Sequence, residues 1–174
     1  MAAEVLSANR IRVDVFDAMP SVGRKFLLAG RGGLNLTHSE APDLFLSRYG
    51  DRRPEIGQWL EEFGPPQLRA WAQGLGVETF VGSSGRVFPQ EMKAAPLLRA
   101  WLHRLRAAGV VFHARHRWCG WMDDGRTLRF NTPVGEVDVA ADAVVLALGG
   151  GSWARLGSDG AWVALLAARG IGMQ

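Results

Sequence analysis

The stretch IRVDVFDAMPSVGRKFLLAGRGGLNLTHSE, residues 11–40, decides how this chain is read. From Ile11 to Phe16 apolar and polar side chains alternate as they do along a half-buried strand. Asp17 closes that strand. An acidic residue in this place, after a helix and a strand, is where a nucleotide-binding βαβ unit hydrogen-bonds a ribose hydroxyl, and the same place also suits a turn or capping aspartate. Arg24 and Lys25 follow, with Gly30, Gly32 and Gly33 close behind. Glycines let backbone N–H groups approach a phosphate while the cations offset its charge. A solvated basic loop has the same composition, so the segment alone leaves both readings open.

Outward from this stretch, residues 2–8 read as a short helix, so the chain begins in mid-helix. Ile56, Trp59, Leu60 and Phe63 form a helical stripe stopped by Gly64 and Pro65-Pro66. A second helix carries Leu68, Trp71 and Leu75, with Gly76 suited to its left-handed end. Two apolar runs flank Gly82-Ser83-Ser84-Gly85 and predict a hairpin. Leu98, Trp101, Leu102 and Leu105 repeat the helical stripe, and Gly109 ends it before the strand Val110-Val111-Phe112. Three short runs, 118–122, 128–131 and 134–139, predict an antiparallel meander. Ala143–Leu148 is unbroken apolar sequence, as a strand covered on both faces requires, and Gly149-Gly150-Gly151 ends it. Open α/β sheets bind ligands at the carboxyl ends of such strands. A last helix is expected over 159–169. Trp59, Trp71 and Trp101 sit on helical stripes and are expected in the core.

Composition narrows the function. At 48% hydrophobic residues and a mean hydropathy of zero, a chain of 174 residues can bury a core and reads as one globular domain. Its 20 basic and 17 acidic side chains leave +3 spread thinly, so a nucleic-acid-binding module rests only on the pI near 9.7. The longest uncharged stretch, Ala143–Ala154, is too short and too glycine-rich to cross a bilayer, which argues against a membrane partner. With neither a basic n-region nor an apolar h-region at the N-terminus, the expected compartment is the cytoplasm. Cys119 is the only cysteine, and His38, His103, His113 and His116 make no ligand pair on one helix face, so no metal site is expected. Ser152, Ser158 and Asp159 lack a G-x-S-x-G elbow, which excludes a hydrolase triad of that type.

The run from Asp17 to Glu40 resembles the signature of the BaiN/RdsA (YhiN-like) NAD(P)/FAD-dependent oxidoreductases, whose members include aminoacetone oxidase-like proteins. So do Gly85-Arg-Val-Phe-Pro89 with Met92-Lys93-Ala94, and Ala143–Gly150 followed by Gly157-Ser-Asp-Gly160. The resemblance spans essentially the whole chain. It implies an FAD-binding, Rossmann-like α/β fold of the glutathione-reductase type, a parallel sheet with a β-meander as crossover. It also implies that Asp17 holds the adenosine ribose, that Arg24 and Lys25 lie near the pyrophosphate, and that Gly32, Gly33, Asn35 and Thr37 line the flavin side. Gly149 and Gly150 would approach the cofactor at a strand end. NAD(P)H is implied as electron donor or acceptor, and a small organic molecule as substrate; no side chain can be named as a catalytic acid or base.

Three departures bear on that expectation. The family's first strand and its G-x-G-x-x-G turn would precede Ala2, and a substrate domain and returning FAD segment would follow Gln174, so residues 1–174 read as a partial FAD/NAD(P)-binding domain without its substrate domain. Arg10 stands where glycine is usual and a left-handed backbone is needed. The strand that would precede Ala2 is central in this fold, between 11–16 and 143–148; without it those two are expected to close the gap or to fold poorly. The competing function is therefore a catalytically silent remnant that binds no FAD.

Overall fold

The computed structural model describes residues 1–29, 32–157 and 159–172, and the chain divides into two compact units. One comprises Met1–Arg24 and Leu105–Gln174, the other Lys25–Arg104.

In the first unit, helix α1 (Ala2–Ala8) leads to strand β1 (Asp14–Asp17), which pairs in parallel with β5 (Val111–Ala114). The register sets Asp14 beside Val111 and Asp17 beside Ala114. Between α1 and β1 the chain turns at Arg10, whose φ of 61° is the left-handed value expected there. The sheet is held on one face by side chains. His113 Nε2 donates to Asp14 Oδ1 at 2.8 Å, and the Phe16 ring stacks at 4.4 Å on both the His113 ring and that of Phe130. The ionised carboxylate can only accept, so the hydrogen bond fixes which imidazole nitrogen carries the proton.

The predicted meander is present as β6 (Arg117–Trp121), β7 (Leu128–Thr132) and β8 (Gly135–Val139), antiparallel in that order. Leu128 and Phe130 alternate inward from β7, and a bulge between Trp118 and Gly120 absorbs Cys119. β8 is an exposed edge tied down by Arg129, which donates to Asp138 directly across the ladder. The last helix, α7 (Trp162–Ala167), is shorter than expected; past its C-terminus Arg169 stacks on Trp121 and donates to the Met122 carbonyl.

The second unit holds helices α2 (Arg24–Ala29, beginning at the boundary), α3 (Pro42–Ser47), α4 (Arg53–Phe63), α5 (Pro65–Gly74) and most of α6 (Ala94–Ala107, which ends past the boundary). Its antiparallel sheet runs β2 (Thr37–His38), β4 (Arg86–Pro89), β3 (Thr79–Val81), the last two being the predicted hairpin. Leu34, Ala72, Ala94 and Leu97 make a buried core on which Phe26, Leu36, Trp71, Leu75 and Val77 pack. Trp71 meets Trp101 edge to face at 5.1 Å, in keeping with their expected packing. Gly76 takes φ +76° at the end of α5.

Two expectations fail. Ala143–Leu148 is not a strand and does not pair with β1; Val145 is 63% exposed, because an apolar run becomes a buried strand only when a neighbour supplies a ladder. Trp59 is 66% exposed and α4 has no buried residue, since the stripe that turns inward carries only Ile56 and Leu60, both half-buried.

Left-handed backbone strains a non-glycine residue by about 1–2 kcal/mol, more than the roughly 0.4–1 kcal/mol that glycine costs through unfolded-chain entropy. Arg10→Gly is therefore expected to raise the melting temperature by a few degrees in a thermal scan, and a lower one would show that Arg10 is unstrained. Asp124, in the β6–β7 turn, accepts the Thr127 hydroxyl and the N–H groups of Thr127 and Arg126, which brings its pKa down to about 2. Its folded value lies below the unfolded one of about 3.9, so its contribution is present above that pH and is lost as pH falls through about 2. A carboxyl titration by NMR should find this midpoint; one near 4 would show the turn does not form as described.

Candidate functional site

The residues expected to hold a dinucleotide are divided between the two units. Asp17, Arg24, Gly149 and Gly150 lie in the first, and Lys25, Gly32, Gly33, Asn35 and Thr37 in the second.

Asp17 ends β1, as read from the sequence. Its Oδ1 accepts the Met19 N–H at 2.8 Å, and its carbonyl accepts the His116 N–H at 3.0 Å. The side chain thus closes an Asx turn, which is the capping reading made concrete. Seven residues on, Arg24 opens α2 with a buried Nε that has no hydrogen-bond partner among the described residues. A buried guanidinium donor without an acceptor is costly, and an anion such as a phosphate would satisfy it. Lys25, next to it, is exposed.

Gly30 and Arg31 lie outside the described residues. Gly32 has open space where a Cβ would stand, whereas at Gly33, with φ +119°, a Cβ would fall 2.5 Å from Met92 Cε and 3.4 Å from the Phe88 ring. From Leu34 onward the chain runs beside β4 and its flanks, with Leu34 N–H donating to Met92 O, Leu36 N–H to Val87 O and Ser39 N–H to Gly85 O. Asn35 is consequently exposed while Leu34 is buried, and Thr37 pairs with Val87.

Gly149 has φ +71° and, with Leu146–Leu148, Trp162 and Leu166, lines a cavity of about 210 Å³ in the first unit. Gly150 would accept a Cβ without contact. No described ladder fixes Gly149 and Gly150 relative to Asp17, because the run before them is not in the sheet. Among the described residues, Asp17 offers carboxylate acceptor sites and Arg24 a buried donor without a partner, but the residues named above do not assemble a complete site.

His38 and Glu40, at the end of the 17–40 run, belong to a cluster that the sequence did not reveal. His38 Nδ1 accepts the Glu40 N–H at 3.2 Å and Nε2 donates to the Ser84 carbonyl at 2.9 Å, a self-consistent neutral tautomer. Both Glu40 carboxylate oxygens accept from Arg48, which holds the Glu40 carboxyl below its ordinary range. Gly85 is required here, since a Cβ would fall 2.5 Å from the His38 ring. In the first unit Gly157 plays the same part, its Cβ position lying 2.8 Å from Met19 Cγ.

The whole of this chain, residues 1–174, matches one family of sequences described as HI0933-like protein Rossmann domain. The chain belongs to that family, which is FAD-binding. It is 30% identical over 174 residues to a 3-dehydro-bile acid delta(4,6)-reductase of Clostridium scindens, a match covering 98% of this chain and 40% of that protein. Its fold is similar to that of the THI4 protein of Thermovibrio ammonificans, at a TM-score of 0.56 and 18% identity, over 98% of this chain and 58% of that one. The α/β Rossmann-like class expected from the sequence is therefore established, and the chain spans well under two thirds of either relative's length.

If Asp17 serves its own turn, Asp17→Ala should lower the melting temperature of the ligand-free chain, by about 1 kcal/mol of stability, through loss of the Met19 hydrogen bond. An unchanged melting temperature would show that the turn holds without it.

Proposed function

We propose that this chain is the dinucleotide-binding part of an FAD-dependent oxidoreductase of the BaiN/RdsA type. The observation that carries the reading is the family match over the entire chain, supported by the similarity to a bile acid reductase. In the whole protein FAD supplies the redox chemistry, passing electrons between a small organic substrate and oxygen or NAD(P)H. The residues of this chain bind and orient the cofactor. The Asp17 carboxylate accepts from the adenosine ribose, Arg24 and Lys25 face the pyrophosphate, and Gly149 and Gly150 allow the dinucleotide close to the backbone. Gly32, Gly33, Asn35 and Thr37 lie on the flavin side.

The lack of any strand over 143–148 favours a second reading for the isolated chain, that it does not retain FAD. The 174-residue protein is expected to leave gel filtration nearly colourless, and stoichiometric flavin absorbance would overturn that reading. ADP, titrated into labelled protein, should shift Asp17, Arg24 and Lys25 with a dissociation constant of about a millimolar, the affinity of a few charge-assisted hydrogen bonds. A null or uniform response would discard the dinucleotide site itself.

A further inference from the structure

Helix α5 turns one face to the core of the second unit, where Ala72 is buried and Trp71 and Leu75 pack beside it. Pro66, Arg69, Ala70 and Gln73, at i, i+3, i+4 and i+7, share the opposite face. At Gly76 the backbone takes φ +76° and the chain turns back, with Gly76 N–H donating to the Gln73 carbonyl and Val77 N–H to that of Ala72. Glu78 and Thr79, where β3 begins, are thereby brought beside the outer face of α5. These six residues line a cavity of about 400 Å³, at the small end of the range for ligand sites. None of the residues assigned to the dinucleotide is among them.

Arg69 is held in one orientation, since its Nε donates to the Thr79 hydroxyl at 3.1 Å. That bond leaves both Nη groups without an acceptor among the described residues. A guanidinium fixed in this way, with its Nη donors open, matches a carboxylate. Glu78 is anchored through its backbone, its carbonyl accepting the Gln90 N–H at 2.8 Å, while its exposed carboxylate has no partner among the described residues. One cavity therefore holds a cation and an anion that are not paired with each other.

A plain anion would gain Arg69 but be repelled by Glu78, and a plain cation would meet the reverse. A molecule that carries both charges satisfies both walls. We propose that this cavity binds a free α-amino acid with a small apolar side chain. Its carboxylate accepts from the Arg69 Nη groups, its ammonium donates to the Glu78 carboxylate, and its side chain lies over Pro66 and Ala70. The Gln73 amide offers one further donor and acceptor at the rim.

The test uses the full 174-residue chain and three probes. L-valine carries both charges, isovalerate is the same skeleton without the ammonium, and isobutylamine is that skeleton without the carboxylate. Titrated into labelled protein, valine should shift the amides of Ala70, Gln73, Glu78 and Thr79 and the Arg69 Nε–H. The dissociation constant should be about a millimolar, the affinity of two charge-assisted contacts at a water-accessible site. Asp17 and Arg24 should not respond. Isovalerate and isobutylamine should each bind at least tenfold more weakly than valine. Glu78→Gln should weaken valine at least tenfold and leave isovalerate no weaker, whereas Arg69→Gln should weaken both. Should Arg69→Gln disturb the fold for want of its Thr79 contact, Glu78→Gln, at an exposed side chain, decides the matter with the two analogues. The proposal is overturned if valine gives no saturable shift at these residues, or if its shifts are spread over the whole chain. Isovalerate binding as tightly as valine would also overturn it, marking a plain anion site, and so would undiminished valine binding by Glu78→Gln.

Discussion

The backbone ladder between β1 and β5 is the constraint on which the first unit depends. Two strands of four residues are marginal alone, and parallel strands normally have both faces covered. Here the deficit is made up on one face. Phe16 lies between the rings of His113 and Phe130, and the His113–Asp14 hydrogen bond crosses the ladder beside them, so the meander strand β7 and both parallel strands meet at one aromatic stack. The same constraint explains the failure of Ala143–Leu148 to become a strand. Its side chains are as apolar as a buried strand needs, but strand structure is a property of pairs. Among the described residues no ladder forms with it, and Val144 and Val145 stay exposed.

The second unit shows the opposite balance. Its hairpin closes within a few residues, the segment from Leu34 to Ser39 is tied to Met92, Val87 and Gly85 by backbone hydrogen bonds, and α5 and α6 supply Ala72, Ala94 and Leu97 to a continuous core. Close approach is what its glycines provide. Gly85 leaves room for the His38 ring and Gly33 for the Met92 methyl, and a Cβ at either would have to displace a side chain already hydrogen-bonded or packed. Gly157 against Met19 repeats the device in the first unit.

What could be read from the sequence was what short-range physics determines. The meander, the hairpin around Gly82–Gly85, and the run from α6 through Gly109 into β5 each depend on residues within a few positions of one another, and each is where the pattern put it; the left-handed turn at Arg10 followed instead from the family resemblance. Misread were the features that depend on distant partners. Periodicity gave α4 an apolar stripe but could not say that nothing would cover Trp59, and hydrophobicity gave 143–148 the makings of a strand but not the neighbour. The His38–Glu40–Arg48 cluster escaped for the same reason, since it depends on Ser84 and Arg48 coming to His38 and Glu40 in space.

At Asp17 the turn reading and the ribose reading are compatible rather than rival. A carboxylate has about four acceptor sites on two oxygens, and the Met19 N–H takes one of those on Oδ1. That hydrogen bond fixes the rotation of the carboxylate at the end of β1, so a hydroxyl arriving there would meet an acceptor already oriented, with less side-chain freedom left to lose on binding. Arg24 differs in kind: its buried Nε lacks an acceptor among the described residues, so an anion reaching it would supply a missing partner instead of competing with an existing one. A dinucleotide presents both groups, a hydroxyl for the oriented acceptor and a charged oxygen for the unpartnered donor, which is why these two residues and not the glycines carry the chemical argument for the site.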